Sequence, residues 1–192
     1  FLKDIASEID REKEIIDDLL MLTRMDNSVS TLNISLVNIN TLVERMLKKL
    51  TPLADEKNIE IVYESMRDIE AEVDDIKLTQ VVTNLVENAI KYNVPGGKVI
   101  VTLNADIDSF FLRIQDTGIG IPEEHQKNIF QRFYRVDKAR SRETGGTGLG
   151  LSIVDSIISS HGGQIKVVSK PVADGEKFGE TVFTIKIPLN LI

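Results

Sequence analysis

Asn84, Asn88 and Lys91 stand four and three residues apart in the stretch Gln80–Asn93, read QVVTNLVENAIKYN. These steps put side chains on one face of a helix, where Gln80 begins the same stripe. Asn is a poor helix former, costing roughly 0.5–0.7 kcal/mol relative to Ala in a helix interior, so two of them four apart ask for a reason. An amide offers a hard cation an uncharged oxygen. Lys91, a turn beyond Asn88, can reach an anion held at the same place. The face therefore suits a metal–phosphate group. As bare pattern it would also serve as a solvated polar stripe.

A second cluster follows. Phe110, Leu112, Ile114 and Asp116 share one parity of an alternating stretch, so Asp116 points to the face that the other three bury. A carboxylate there needs a donor. Thr117-Gly118-Ile119-Gly120-Ile121-Pro122 comes next, and its glycines permit close approach of backbone to a ligand. Such a carboxylate could accept from an exocyclic amine such as that of adenine, or could simply cap its own turn.

Arg132, Arg135, Lys138, Arg140 and Arg142 make a basic run in an acidic chain, a pattern that by itself suits a solvated loop. Gly145-Gly146-Thr147-Gly148-Leu149-Gly150-Leu151 then opens a helix containing Leu151, Ile153, Val154, Ile157 and Ile158. Free amides at a glycine-flanked helix N-terminus form a natural phosphate site. No Gly-Lys-Ser/Thr follows, which excludes a Walker loop, and no apolar strand precedes, which argues against a Rossmann turn. The segment Arg132–Gly146 has little apolar surface after Tyr134, so a bound triphosphate is expected to order it.

The elements that position these groups can be placed from pattern. Leu78, Val81, Val82, Leu85, Ala89 and Ile90 give the Asn-bearing helix an apolar face, with Asp74 as N-cap. Leu32, Ile34 and Leu36 alternate as a strand, and Asn40 is expected to cap a helix running to about Lys57. Further strands are expected at Ile59–Tyr63, around Val99–Leu103, at Gln164–Ser169 and at Thr181–Ile187, with a hairpin turn at Asp106–Ser109. Pro122–Phe130 can form a short helix, and His161 with Gly162 fits a helix C-terminus. Residues 1–25 read as one helix whose seam of Leu2, Ile5, Ile9, Ile16 and Leu19 asks for partner helices; 26–30 is a linker and 31–192 one domain.

The chain has 192 residues, 42% hydrophobic and 28% charged, a globular composition. A net charge of −7 argues against a general nucleic-acid binder. There are no cysteines, hence no disulfide framework and no thiolate site. No run approaches the ~18 apolar residues of a membrane span. Phe1 falls inside a helical pattern, so the sequence reads as part of a longer protein, with any membrane segment upstream and this part expected in the cytoplasm.

In order, NLVENAIKY, DTGIGIP, IFQRFYR and GGTGLGLSIV closely resemble the N, G1, F and G2 boxes of sensor histidine kinases, members of the wider GHKL family of Bergerat-fold ATPases. The resemblance covers about residues 31–190, and residues 1–25 look like the second helix of that family's dimerisation and phosphotransfer bundle. It implies an α+β fold, a sandwich of a mixed sheet with helices on one face, preceded by the bundle helix. The implied ligands are ATP and Mg²⁺. The implied partners are a second copy, through the bundle, and the receiver domain of a response regulator. The implied reaction moves the γ-phosphoryl group of ATP to a His on a bundle helix that this sequence lacks.

Site residues carry over where the boxes match. Asn88 resembles the Mg²⁺ ligand. Asn84, Lys91 and Arg135 resemble the groups at the phosphoryl-transfer step, and Lys91 and Tyr92 the phosphate and nucleotide contacts. Asp116 resembles the adenine reader, with Gly118, Gly120 and Ile121 shaping the base pocket and Thr181 near the base. Arg135 and Lys138 resemble cations aimed at the phosphates, and Gly146, Thr147, Gly148 and Leu149 the phosphate-binding backbone. An alternative is a GHKL ATPase that hydrolyses ATP to drive motion. Such members place a Glu one turn before the metal Asn, and that position here is Asn84, which cannot serve as a base. A nucleotide-binding module without catalysis is the third reading, and the intact boxes count against it.

Overall fold

A computed structural model describes residues 12, 13, 16, 32–136 and 147–190. The expected bundle helix and linker thus lie outside the described residues except at three positions, and Lys138 and Gly146 lie outside as well. Eleven elements are described: β1 (Ser35–Asn38), α1 (Ile39–Glu56), β2 (Glu60–Ser65), β3 (Glu70–Val73), α2 (Asp75–Lys91), β4 (Lys98–Ala105), β5 (Ser109–Asp116), α3 (Glu123–Gln126), α4 (Gly150–Ser160), β6 (Gln164–Lys170) and β7 (Glu180–Pro188).

Five strands form one sheet in the order β2-β4-β5-β7-β6. The β2–β4 pair is parallel and the rest are antiparallel, so the sheet is mixed. β1 and β3 make a separate antiparallel pair. The three long helices share one face of the large sheet, α1 against β2, α2 against β4 and β5, and α4 against β6. This is the expected α+β sandwich.

Register explains the core. Directly paired residues on neighbouring strands share a face. Tyr63, Val101, Ile114, Phe183 and Val167 form one rung beneath the helices, and Leu103, Leu112, Ile185 and Ile165 form the next. From above, Leu78, Val81, Val82, Leu85 and Ile90 of α2 and Ile153, Val154, Ile157 and Ile158 of α4 are buried against them. Burying each such side chain contributes about 1.5–3 kcal/mol of transfer free energy, so the apolar stripe fixes which face α2 turns outward. The third rung, Ile61–Val99–Asp116–Thr181–Ser169, becomes polar along its length.

Local differences from expectation have physical causes. Asn38, not Asn40, is the N-cap of α1, its side chain accepting from Thr41 N at 2.9 Å. Asn40 is buried one residue inside the helix. There its amide donates to Ser65 Oγ at 2.7 Å and Arg67 O at 3.0 Å, and its oxygen accepts from Ile69 N at 2.9 Å. It fastens the helix to the β2–β3 connection. Leu32 and Ile34 precede β1, and Leu36 within it is mostly exposed, so their alternation marks no buried face. β3, EAEV, has only two apolar residues and gave no strand signal. Pro52 lies in the later part of α1. Asp74 caps α2 as expected, accepting from Lys77 N at 3.1 Å.

Candidate functional site: the open end between two helices and the polar rung

α2 and α4 run side by side in opposite directions. At one end Asn84 Nδ2 donates to Gly150 O, the first residue of α4, at 3.3 Å. At the other, His161 at the C-cap of α4 accepts at Nε2 from Asp74 N, the N-cap residue of α2, at 3.0 Å. The His161 Nδ1–H donates to Ile157 O at 2.8 Å, which fixes a neutral tautomer. Burial holds this imidazole below its ordinary range, with Lys77 acting the same way and the Ile157 carbonyl and Asp74 opposing. His161 therefore has the helix-terminal role that its sequence position favours, and it also ties two helices.

The α2 polar face turns toward the Gly-rich start of α4. Asn84 and Asn88 are both part-buried, while Glu87 is exposed. Asn84 commits its amide nitrogen to Gly150 O, which leaves its oxygen as the acceptor of that side chain. Asn88 makes no hydrogen bond through its side chain to the described residues. No group of three or more acidic, His or Cys side chains that could hold a metal occurs among the described residues. A cation here would meet uncharged amide oxygens and take its remaining ligands from phosphate and water. Mg²⁺ usually keeps several waters in this way, so the donor set fits it.

At the C-terminal end of α2, Lys91 Nζ lies 5.4 Å from the Tyr92 ring centroid, and the Tyr92 ring is partly exposed. Tyr92 O accepts from Ile119 N at 3.0 Å. The 117–122 loop thus lies directly on the end of α2. Gly118 is required there, because a Cβ would stand 2.3 Å from Tyr92 O.

Asp116 is 5% exposed, at the centre of the polar rung, as its strand parity demands. Its Oδ1 accepts from Gly118 N at 2.9 Å, the local turn bond anticipated for such an aspartate. Its other oxygen has no hydrogen bond to the described residues. Burial pushes its carboxyl up to about 7; the Gly118 amide opposes this and the charge of Glu180 adds to it. Thr181, also 5% exposed, is its direct partner on β7.

Sequence reasoning missed the groups that clamp the loop. Ile121 N donates to Ser169 Oγ at 2.7 Å. Gln126 Nε2 donates to both Ile121 O and Ser169 O at 2.8 Å. Gly179 N donates to Gly118 O at 2.8 Å. Gly120 has φ +73°, and a Cβ there would meet Lys170 O at 2.3 Å. Ser169 falls on the inward parity of its strand, the one signal that could have marked it.

On the phosphate side, Phe133 N donates to Gly148 O at 2.9 Å, joining the chain on either side of residues 137–146. Phe133 itself takes φ 62°, a left-handed conformation rare for a bulky residue. Arg135 is part-buried two residues later. Gly148 has φ +73°, and a Cβ would come 3.0 Å from Phe133 backbone atoms. Thr147 Oγ1 accepts from Leu149 N at 3.1 Å, and α4 has no side-chain cap at its N-terminus. These contacts make two groups joined through α2: Asn84 at Gly150, next to Thr147, Gly148 and Leu149, and Tyr92 at the loop of Gly118, Gly120 and Ile121 with Asp116 and Thr181; Asn88 and Lys91 lie between them along α2. A separate cleft between α1 and β2, lined by Leu47, Thr51, Ile61 and Tyr63 among others, contains none of them.

Comparison with known proteins identifies relatives of the chain and of its fold. Residues 73–191 match the family described as histidine kinase-, DNA gyrase B- and HSP90-like ATPase. The sensor histidine kinase WalK of Bacillus subtilis is 35% identical over 168 residues, covering 86% of this chain and 27% of WalK. The chain thus spans well under half the length of that relative. The histidine kinase AdeS of Acinetobacter baumannii superposes with a TM-score of 0.79 at 25% identity, over 98% of this chain and 83% of that one. Histidine kinase ThkA, solved in complex with the response regulator protein TrrA, superposes with a TM-score of 0.73 at 27% identity, over 96% of this chain and 49% of that one. The chain belongs to the histidine kinase-, DNA gyrase B- and HSP90-like ATPase family and carries the ATP-binding domain that sensor histidine kinases share.

Proposed function

We propose that this chain binds ATP with Mg²⁺ and presents the γ-phosphoryl group to a His on a helical bundle, for relay to a response regulator receiver domain. The observation that carries the reading is the buried Asp116 on the sheet face beneath α2, beside a glycine loop docked on Tyr92. In this reading Asp116 accepts from the adenine amine, and Gly118, Gly120 and Ile121 wall the base. Asn88 and the Asn84 oxygen hold Mg²⁺, which would neutralise phosphate charge when bound. Lys91, Arg135 and Lys138 face the phosphates, and the Gly146–Leu149 backbone cradles them. Phosphoryl transfer asks a protein mainly for positioning and charge stabilisation, and these groups supply both. Residues 1–25 would form part of the bundle and its dimer, and 26–30 the link to the catalytic domain. The protein works at the cytoplasmic side.

The ATPase alternative is disfavoured by Asn84. Its amide is engaged with Gly150 O, and it cannot take a proton from water. Calorimetry with ATP and GTP in magnesium at pH 8, where the Asp116 carboxyl is ionised, tests the base assignment. Adenine should be preferred, because the guanine carbonyl would leave a buried charge unpaired at a cost of about 1–3 kcal/mol. Equal affinity for the two would refute the role given to Asp116.

A further inference from the structure

Ser169 on β6 is the direct partner of Thr181 on β7, which in turn faces Asp116 on β5. The Ser169 hydroxyl is fully committed. It accepts from Ile121 N at 2.7 Å, and it stands 2.6 Å from Glu180 O and 2.9 Å from Thr181 Oγ1. A carbonyl oxygen only accepts, so the single Ser169 proton goes to Glu180 O. That leaves one possible donor for the bond between the two hydroxyls, Thr181. The Thr181 proton therefore points toward β6, and on the Asp116 side Thr181 offers only lone pairs. Gln126 locks this arrangement by bonding to the carbonyls of both Ile121 and Ser169.

With its carboxyl ionised, Asp116 thus stands beside Thr181 as a second acceptor. An exocyclic amino group brings two N–H donors to such a pair, whereas a ring carbonyl brings none. We propose that Ser169 is a specificity-positioning residue: by taking the Thr181 proton it holds that hydroxyl as an acceptor beside Asp116, and so favours a 6-aminopurine over a 6-oxopurine. The inference rests on the assignment of the base to Asp116. It adds that rejection of guanine is set in part by a residue two strands away. Without the Ser169 hydroxyl, Thr181 can rotate and donate to a 6-oxo oxygen, so selectivity should narrow mainly through tighter binding of the wrong base.

The test is calorimetry of Mg·ADP and Mg·GDP at pH 8, where Asp116 is ionised, with the wild type, Ser169→Ala and Ser169→Thr. Wild type should prefer ADP, Ser169→Ala should narrow the ADP/GDP ratio by about five- to tenfold, and Ser169→Thr should restore it, since it keeps the hydroxyl. A loosened loop would weaken both nucleotides together and leave the ratio unchanged, so an unchanged ratio in Ser169→Ala overturns the proposal. A wild type without preference overturns the Asp116 assignment and the proposal with it. In a Thr181→Val background Ser169→Ala should change the ratio no further, and additive effects would contradict the mechanism. Should Ser169→Ala fail to fold, Ser169→Cys, with a much weaker hydrogen-bonding group, should narrow the ratio in its place; a wild-type ratio there overturns the proposal.

Discussion

Asn84 Nδ2 donates to the carbonyl of Gly150, so the first residue of α4 is held against the middle of α2. The same contact sets the distance between the polar face of α2 and the glycine-rich turn.

Two substitutions on α2 should therefore behave differently. Asn84→Asp places a carboxylate oxygen where an N–H donor met a carbonyl, and should destabilise the fold by about 1–3 kcal/mol. In a domain of this size that is a fall in Tm of about 2–4 °C per kcal/mol. Asn88→Ala removes no hydrogen bond to the described residues, so Tm should stay nearly constant while magnesium-dependent ATP affinity falls at least about tenfold. Thermal melts and calorimetry on the two variants separate the effects; equal loss of stability would contradict the distinction.

Asp116 makes a prediction with a definite sign. Its carboxyl titrates near 7 in the folded protein, against about 4 for an unfolded aspartate. Between those values the folded state holds a proton that the unfolded state has released. The stability this group contributes is fully present below about pH 4 and is lost as pH rises through 7. Asp116→Asn should abolish that dependence, so denaturant titrations should show the variant gaining on the wild type by about 2–4 kcal/mol between pH 4 and 8. The same variant should bind ATP more weakly. A constant difference in stability across this range would contradict the buried state of the carboxyl.

His161 has the opposite dependence. Its imidazole is held below its ordinary range, so the stability it contributes is present above about pH 6.5, the unfolded value, and is lost as pH falls through the lower folded one. NMR titration should find His161 titrating below the ordinary histidine range. His161→Ala would leave the buried Asp74 N without its partner and take one of the two hydrogen bonds that Ile157 O accepts from residue 161, and should cost about 1–3 kcal/mol. A His161 that titrates at or above the ordinary range would contradict its burial and the tautomer assigned here.

Much of this was legible before any coordinates. The Asp74 cap, the inward parity of Asp116 and the helix ending at His161 follow from local rules, in which one residue and its near neighbours settle the geometry. Asn40 was misplaced because a buried amide that ties a helix to a distant turn looks, in sequence, like a cap. β3 was missed because its pairing with β1, not its composition, makes it a strand. Ser169 and Gln126 went unmarked for a related reason. Their bonds to Ile121 span 48 and 5 residues, and a polar residue on a strand or short helix carries no sign of where such a partner will be.

Glycine substitutions should rank by what a methyl group would meet. Gly118→Ala would set Cβ 2.3 Å from Tyr92 O and 2.7 Å from Asp116 Oδ1, so the loop must shift and both stability and ATP affinity should fall. Gly175→Ala meets nothing within 4 Å and carries only the strain of φ +83°, about 1 kcal/mol. Melting and nucleotide binding should fall together in the first variant, and only melting, slightly, in the second.

The most direct test of the account is incubation with γ-labelled ATP and magnesium. Neither histidine is placed to accept a phosphoryl group. His161 is fully buried with both ring nitrogens bonded, and His125 Nδ1 pairs with Tyr134 Oη at 2.6 Å beside Glu123 and Glu124. Asn84 supplies no base for water. The account predicts that this chain alone stays unlabelled and releases phosphate slowly, while a version extended upstream to include a bundle helix bearing the acceptor His gains acid-labile label. Stoichiometric labelling of the present chain at His125 or His161, or rapid release of labelled phosphate, would contradict it.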